Sequence, residues 1–203
     1  VAPSRGLGDV YKRQENCGDN SGVMVANNSG SIYFTMQKAI RIPSLISNVV
    51  KVLGNVCIDE EYSASGVNIQ EFKPDDKIEY NGVVVYKDII KEFAAYYLTC
   101  DKYLNAYDDS NIRGKAKILR CVHTWYLYAR GRIMLEYKDT EKSEMEIIRA
   151  NSDRIIDMVK ERILQVVQSS GEMDSIYQED LDLGIACFTC YCFMECKILE
   201  KPL

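Results

Sequence analysis

Apolar residues recur at helical spacing through the second half of the chain. Val85, Ile89, Phe93, Tyr96, Cys100, Tyr103 and Tyr107 follow one another in steps of three and four, the period of one face of an α-helix. This stripe predicts a helix over about 84–108. Asn81-Gly82, set between β-formers, is a hairpin signal. The longer pattern outweighs it and puts this pair in the turn before the helix.

A second stripe, Ile118, Val122, Trp125, Ala129 and Ile133, predicts a helix over 114–137. A third begins at Ser143, where Ser143 and Glu146 have the spacing of a capping box. It runs through Ile148, Ile155, Val159, Ile163 and Val166 to about 169. A fourth starts near Ser175, where Ser175 and Gln178 repeat that spacing, and ends before Pro202. Glu179, Asp180 and Asp182 lie near the positive end of its dipole. Four amphipathic helices with short connections imply a mainly α fold, an up-down antiparallel four-helix bundle over about 83–200.

The pattern upstream is weaker. "SGVMVANN" and "SGSIYFTM" predict two short strands, 22–25 and 31–35, joined by an Asn-Gly-type turn into a small β-hairpin. Such a hairpin must pack on the body or pair through its open edge, which makes self-association there an expectation. "IRIPSLISNVVKVLGN" predicts a short helix, with Pro43 in its first turn and Gly54 as its stop. Residues 57–77, which include "KPDD", are polar and aperiodic and read as a loop. The division expected is 15–76 as an appendage and 77–203 as the helical body. "DVYKRQ" at 9–14 looks like a translated sequencing-adaptor scar. On that reading 1–14 are a disordered artefact and an upstream part has been lost.

The composition excludes more than it identifies. The 203 residues are 47% hydrophobic and 27% charged, with a net charge of −5. That balance suits a soluble chain and disfavours general affinity for nucleic acid or anionic membrane. No apolar leader precedes the eight cysteines, so they read as reduced thiols of a cytoplasmic protein. The run "LGIACFTCYCFMECKIL" is too short and too charged for a span of ~20 residues and reads as a central, nearly all-round buried helix.

Candidate chemistry is sparse. Cys187, Cys190, Cys192 and Cys196 invite a metal. At ~100° per residue the first two and the last two face opposite sides of one helix, so the expectation is no metal and no cofactor. His123 is the only histidine and the one plausible neutral-pH base, but no nucleophile pairs with it by sequence. Asp153 and Asp157 sit at i,i+4 with Arg149 and Arg154 beside them, which argues against an acid–base dyad. There is no phosphate-binding glycine loop, zincin motif or nucleophile elbow. Arg113, Lys117 and Arg120 share one helical face near a helix N-terminus, a candidate anion-binding surface. Tyr126, Tyr128 and Tyr137 lie off the main stripe of their helix and are candidate partner-binding residues.

The segments "YKDIIKEFAAYY", "KAKILR", "EIIRANSDRIIDMV" and "EDLDLGIACFTCYCFMECKILEKP" resemble a C-terminal domain of the prokaryotic ABC-three component conflict systems. The resemblance covers about 77–202. It rests most on the acidic start at Glu179 to Asp182 and the ending "ECKILEKP", while the cysteine-rich middle departs from it. It implies a non-catalytic interaction and coupling module of an antiphage effector, with a middle component and an ABC-type ATPase as partners. Two other readings stand beside it. One is a stand-alone ligand- or nucleotide-sensing bundle that uses the Arg113–Arg120 face. The other is a hydrolase built around His123.

Overall fold

A computed structural model describes residues 41–56, 73–110, 113–171 and 176–202. All of them belong to one compact unit, Ile40–Leu203. The described residues are mainly helical and contain no strand. In order they form α1 (Leu45–Val56), α2 (Pro74–Asn81), α3 (Lys87–Phe93), a 3₁₀ turn (Ala94–Tyr96), α4 (Tyr97–Ser110), α5 (Gly114–Glu136), α6 (Glu144–Ser170) and α7 (Gln178–Met194). The expected hairpin at 22–25 and 31–35, and the segment 1–14, lie outside the described residues.

The helices form a bundle around α7, which touches α1, α3, α4 and α6. Leu181, Ile185, Cys187, Phe188, Cys190, Tyr191, Cys192 and Phe193 are all buried. Such all-round burial explains why the run reads as apolar without a polar face. No described helix is long and apolar enough to cross a membrane. The long pair α5 and α6 packs side by side. Ile118, Val122, Ala129 and Ile133 from one, and Ile148, Ile155, Val159 and Ile163 from the other, are buried as their stripes require. The Ser143–Glu146 capping box is formed, with each side chain bonded to the other's backbone N–H.

Several expectations are corrected. α1 does not stop at Gly54 but runs to Val56. Gly54 is buried inside the helix because α7 crosses it closely. Val49, Val50 and Leu53 are wholly buried, so α1 belongs to the core. The stretch expected to be loop becomes helical at Pro74. Pro at the first helical position, followed by Asp75 and Asp76 in the first turn, is helix-start chemistry rather than loop chemistry.

The single helix over 84–108 is broken. Gly82, at φ 68°, ends α2 in the left-handed conformation that glycine adopts without steric cost. Val84 and Val85 then face solvent, 74% and 69% exposed. The Asp153 carboxylate on α6 accepts from the backbone N–H groups of Val84, Val85 and Tyr86 at 3.0–3.3 Å and holds the turn open. The 3₁₀ turn at 94–96 shifts the phase again, because its tighter winding turns each residue ~120° instead of ~100°. Ile90 and Leu104 are therefore fully buried, whereas Ile89 and Tyr103 are only half-buried.

α7 stops at Met194 rather than continuing toward Pro202. The Lys197 N–H donates to the Cys192 carbonyl and the Cys196 N–H to the Phe193 carbonyl, the paired bonds of a Schellman motif. Cys196, at φ 52°, occupies the position where glycine is usual. At its start α7 has Tyr177 as N-cap with no side-chain bond, and Gln178 donates to Asp182 at 3.0 Å; Ser175 of the expected capping box lies outside the described residues. Trp125, expected in the core, is half-buried, with the Arg162 guanidinium 5.8 Å from its ring centre.

Candidate functional site

The tail that follows α7 is held by α2 and α5. Lys77 is buried, 2% exposed, and its ammonium donates to the Phe193 carbonyl and, at 2.9 Å, to the Ile198 carbonyl. It also lies 4.4 Å from the centre of the Phe193 ring. Asn81 donates to the Glu200 carbonyl and accepts from the Glu200 N–H, both at 2.9 Å. On the other side, the Tyr126 hydroxyl donates to the Glu200 carboxylate. The His123 Nδ1 lies 3.4 Å from the Lys197 carbonyl. A carbonyl can only accept, so this nitrogen carries the proton.

The clamp leaves a groove of about 540 Å³ between the first half of α5 and the tail. Lys115, Leu119, Arg120 and His123 line one wall and Cys196 and Lys197 the other. Lys115 is paired with Asp101 at 2.6 Å and bonded to Asn105 at 3.0 Å. Asp101 also accepts from the Tyr191 hydroxyl at 2.8 Å. Burial raises the Asp101 carboxyl, but Lys115 and Tyr191 together hold it below its usual range. Burial pulls the Lys77 ammonium down to about 8, against the opposing effect of Cys196 and Glu200. Burial also pushes the Cys192 thiol well up, so it is an unreactive core group.

Arg113, Lys117 and Arg120 do not act as one face of this groove. Arg113 is the N-cap of α5 in a left-handed conformation (φ 59°, ψ 39°). All three are exposed, but only Arg120 lines the groove. Its cationic neighbours there are Lys115 and Lys197. Lys115 lies ~140° around the helix from Arg120 by residue count. Lys197 comes from a tail that the pattern assigned to a helix. Neither had a signal that periodicity could detect.

The tyrosines divide in the same way. Tyr126 is 2% exposed and belongs to the core, which corrects its placement off the stripe. Burial and the Glu200 carboxylate push its hydroxyl far above the ordinary tyrosine value. Tyr137 is half-buried with Lys142 5.7 Å from its ring centre. Tyr128 is 72% exposed. It belongs to an outward ridge of α5 with Leu127 and Leu135, 48% and 68% exposed. A shallow groove of about 350 Å³ beside it is lined by Trp125, Arg132, Met158 and Arg162.

Among the described residues no arginine, Arg149 and Arg154 included, forms an ion pair with Asp153 or Asp157. Arg154 pairs with Glu136 at 2.5 Å, and Asp157 accepts from the Tyr86 hydroxyl at 2.5 Å. Both aspartates hold the turn before α3. Cys187, Cys190 and Cys192 are buried and Cys196 lies beyond the helix in the groove wall. Among the described residues no three histidine, cysteine or acidic side chains are grouped to hold a metal ion. Comparison with family models, with curated proteins and with solved structures returns no match for this chain.

Proposed function

We propose that the helical body is a non-catalytic interaction module that docks a protein partner on the outer ridge of α5. The observation that carries this reading is the exposure of Leu127, Tyr128 and Leu135 on one long helix. Large apolar side chains grouped on an outer face favour a protein interface. Trp125 and Arg162, in the adjoining groove, are of the residue types that dominate interface energetics. The sequence resemblance supplies the identity of the partners. On it, the module couples an antiphage effector of an ABC-three component system to its middle component and ABC-type ATPase, in the cytoplasm.

The test is co-expression of this chain with a middle component and an ABC-type ATPase encoded beside it, followed by affinity capture. At least one of them should co-purify, and Leu127→Asp/Leu135→Asp should abolish capture while circular dichroism stays unchanged. If neither co-purifies, or if the double variant is captured as well as the parent, the reading fails.

A further inference from the structure

We infer that the groove between α5 and the C-terminal tail is a binding site for a phosphate-bearing small molecule. It stands on different residues from the α5 ridge, so either reading can fail alone. The first ground is charge. Lys115 arrives paired with Asp101, but among the described residues no carboxylate lies at ion-pair distance from Arg120 or Lys197. The tail's own carboxylates are engaged elsewhere. Glu195 accepts from the Tyr97 hydroxyl and Glu200 from the Tyr126 hydroxyl. In a chain of net charge −5, two cations with no ion-pair partner among the described residues face one concavity and concentrate positive potential there.

The second ground is geometry. The groove, at about 540 Å³, falls in the ~300–1,000 Å³ range of small-molecule sites. Its donors come from opposite walls, Arg120 from α5 and Lys197 from the tail. A phosphoryl group offers several acceptor oxygens to such a set, and a guanidinium can grip two of them at once. Because His123 donates through Nδ1 to the Lys197 carbonyl, its Nε2 is left for a further partner. That bond and the Tyr126–Glu200 bond tie the tail to α5, while the Schellman cap and Lys77 of α2 fix its course. The groove is thus built before any ligand arrives. Leu119 gives an apolar wall for the part of the ligand that carries the phosphate.

The experiment is calorimetric titration of the full chain with inorganic pyrophosphate, with citrate as a non-phosphate polyanion. Pyrophosphate should bind with Kd below about 1 mM, and Arg120→Glu and Lys197→Gln should each weaken it at least tenfold. Arg113→Glu and Lys117→Glu, outside the groove, should leave it within twofold. Arg120 is exposed and Lys197 half-buried, and circular dichroism checks that both variants fold. Four results overturn the inference: no binding at 10 mM pyrophosphate, citrate binding more tightly, binding indifferent to Arg120→Glu, or an equal loss in Arg113→Glu.

Discussion

Gly54 of α1 and Gly184 of α7 face one another where the two helices cross. A β-carbon at Gly54 would lie 2.0 Å from the Asp180 carbonyl oxygen, and one at Gly184 would lie 2.1 Å from the Val50 carbonyl oxygen and 3.1 Å from the Gly54 nitrogen. These obstacles are backbone atoms and cannot rotate away. The crossing therefore exists only because both residues lack a side chain.

Gly54→Ala and Gly184→Ala should each destabilise the fold by about 3 kcal/mol or more, at the upper end of overpacking costs. Gly131→Ala on the outer face of α5 should do the opposite. Nothing lies within 4 Å of its added carbon, so the helix-propensity gain of about 0.8–1 kcal/mol should appear undiminished. Urea denaturation of the three variants checks both signs. A neutral Gly184→Ala would refute the close crossing.

Asp153→Ala removes the acceptor for the N–H groups of Val84, Val85 and Tyr86. These lie near solvent, so water replaces part of the loss, and the expected cost is about 1–3 kcal/mol. Amide hydrogen exchange should accelerate first at 84–86. Acceleration spread evenly over the helices would argue against this local role.

Lys77 makes stability depend on pH in a definite direction. Burial holds its folded pKa at about 8, below its ordinary 10.5. Between those values the unfolded chain keeps the proton that the folded chain has lost, so stability rises with pH. Below about 8 both states are protonated and the contribution is constant. The parent should therefore gain on Lys77→Met by roughly 2 kcal/mol between pH 8 and pH 10, from ~1.4 kcal/mol per unit. Denaturation curves of both proteins at several pH values test this. A parallel pH dependence in parent and variant would show that Lys77 titrates normally.

Neighbouring aromatics on α5 should respond very differently to truncation. Tyr126→Ala should cost about 3–5 kcal/mol, as for a buried ring. Tyr128→Ala should stay within about 0.5 kcal/mol, as for an exposed one. Trp125→Ala should fall between them, since Trp125 is half-buried under Arg162. Thermal denaturation that ranks Tyr128 above Tyr126 would overturn the assigned face of α5.

The extent of α5 and α6 was legible in the sequence for a physical reason, although Trp125, Tyr126 and Val166 were misplaced around them. Both helices bury one stripe against a neighbour of the same kind, so the 3.6-residue period runs through both, interrupted in α6 at Asn151, where φ is −129°. The Ser143–Glu146 box is also local, because both partners lie within one turn. The all-round burial of α7 was visible in its uninterrupted apolar run.

What periodicity could not determine depends on atoms far apart in the chain. The break at Gly82 is held by Asp153, a residue about seventy positions later, whose carboxylate satisfies the N–H groups that a continuous helix would have used. The end of α7 is stabilised by Lys77 and Asn81, so a stretch with helical spacing becomes a clamped tail. Gly54 reads as a stop signal until α7 is laid across it. The basic groove follows from the same event: only the turned tail brings Lys197 opposite Arg120. The amino-acid pattern alone determined the helices that bury a stripe, because that choice is made residue by residue. Tertiary structure alone decided where helices break and which charges meet, because the groups that compensate those breaks and charges come from elsewhere in the chain.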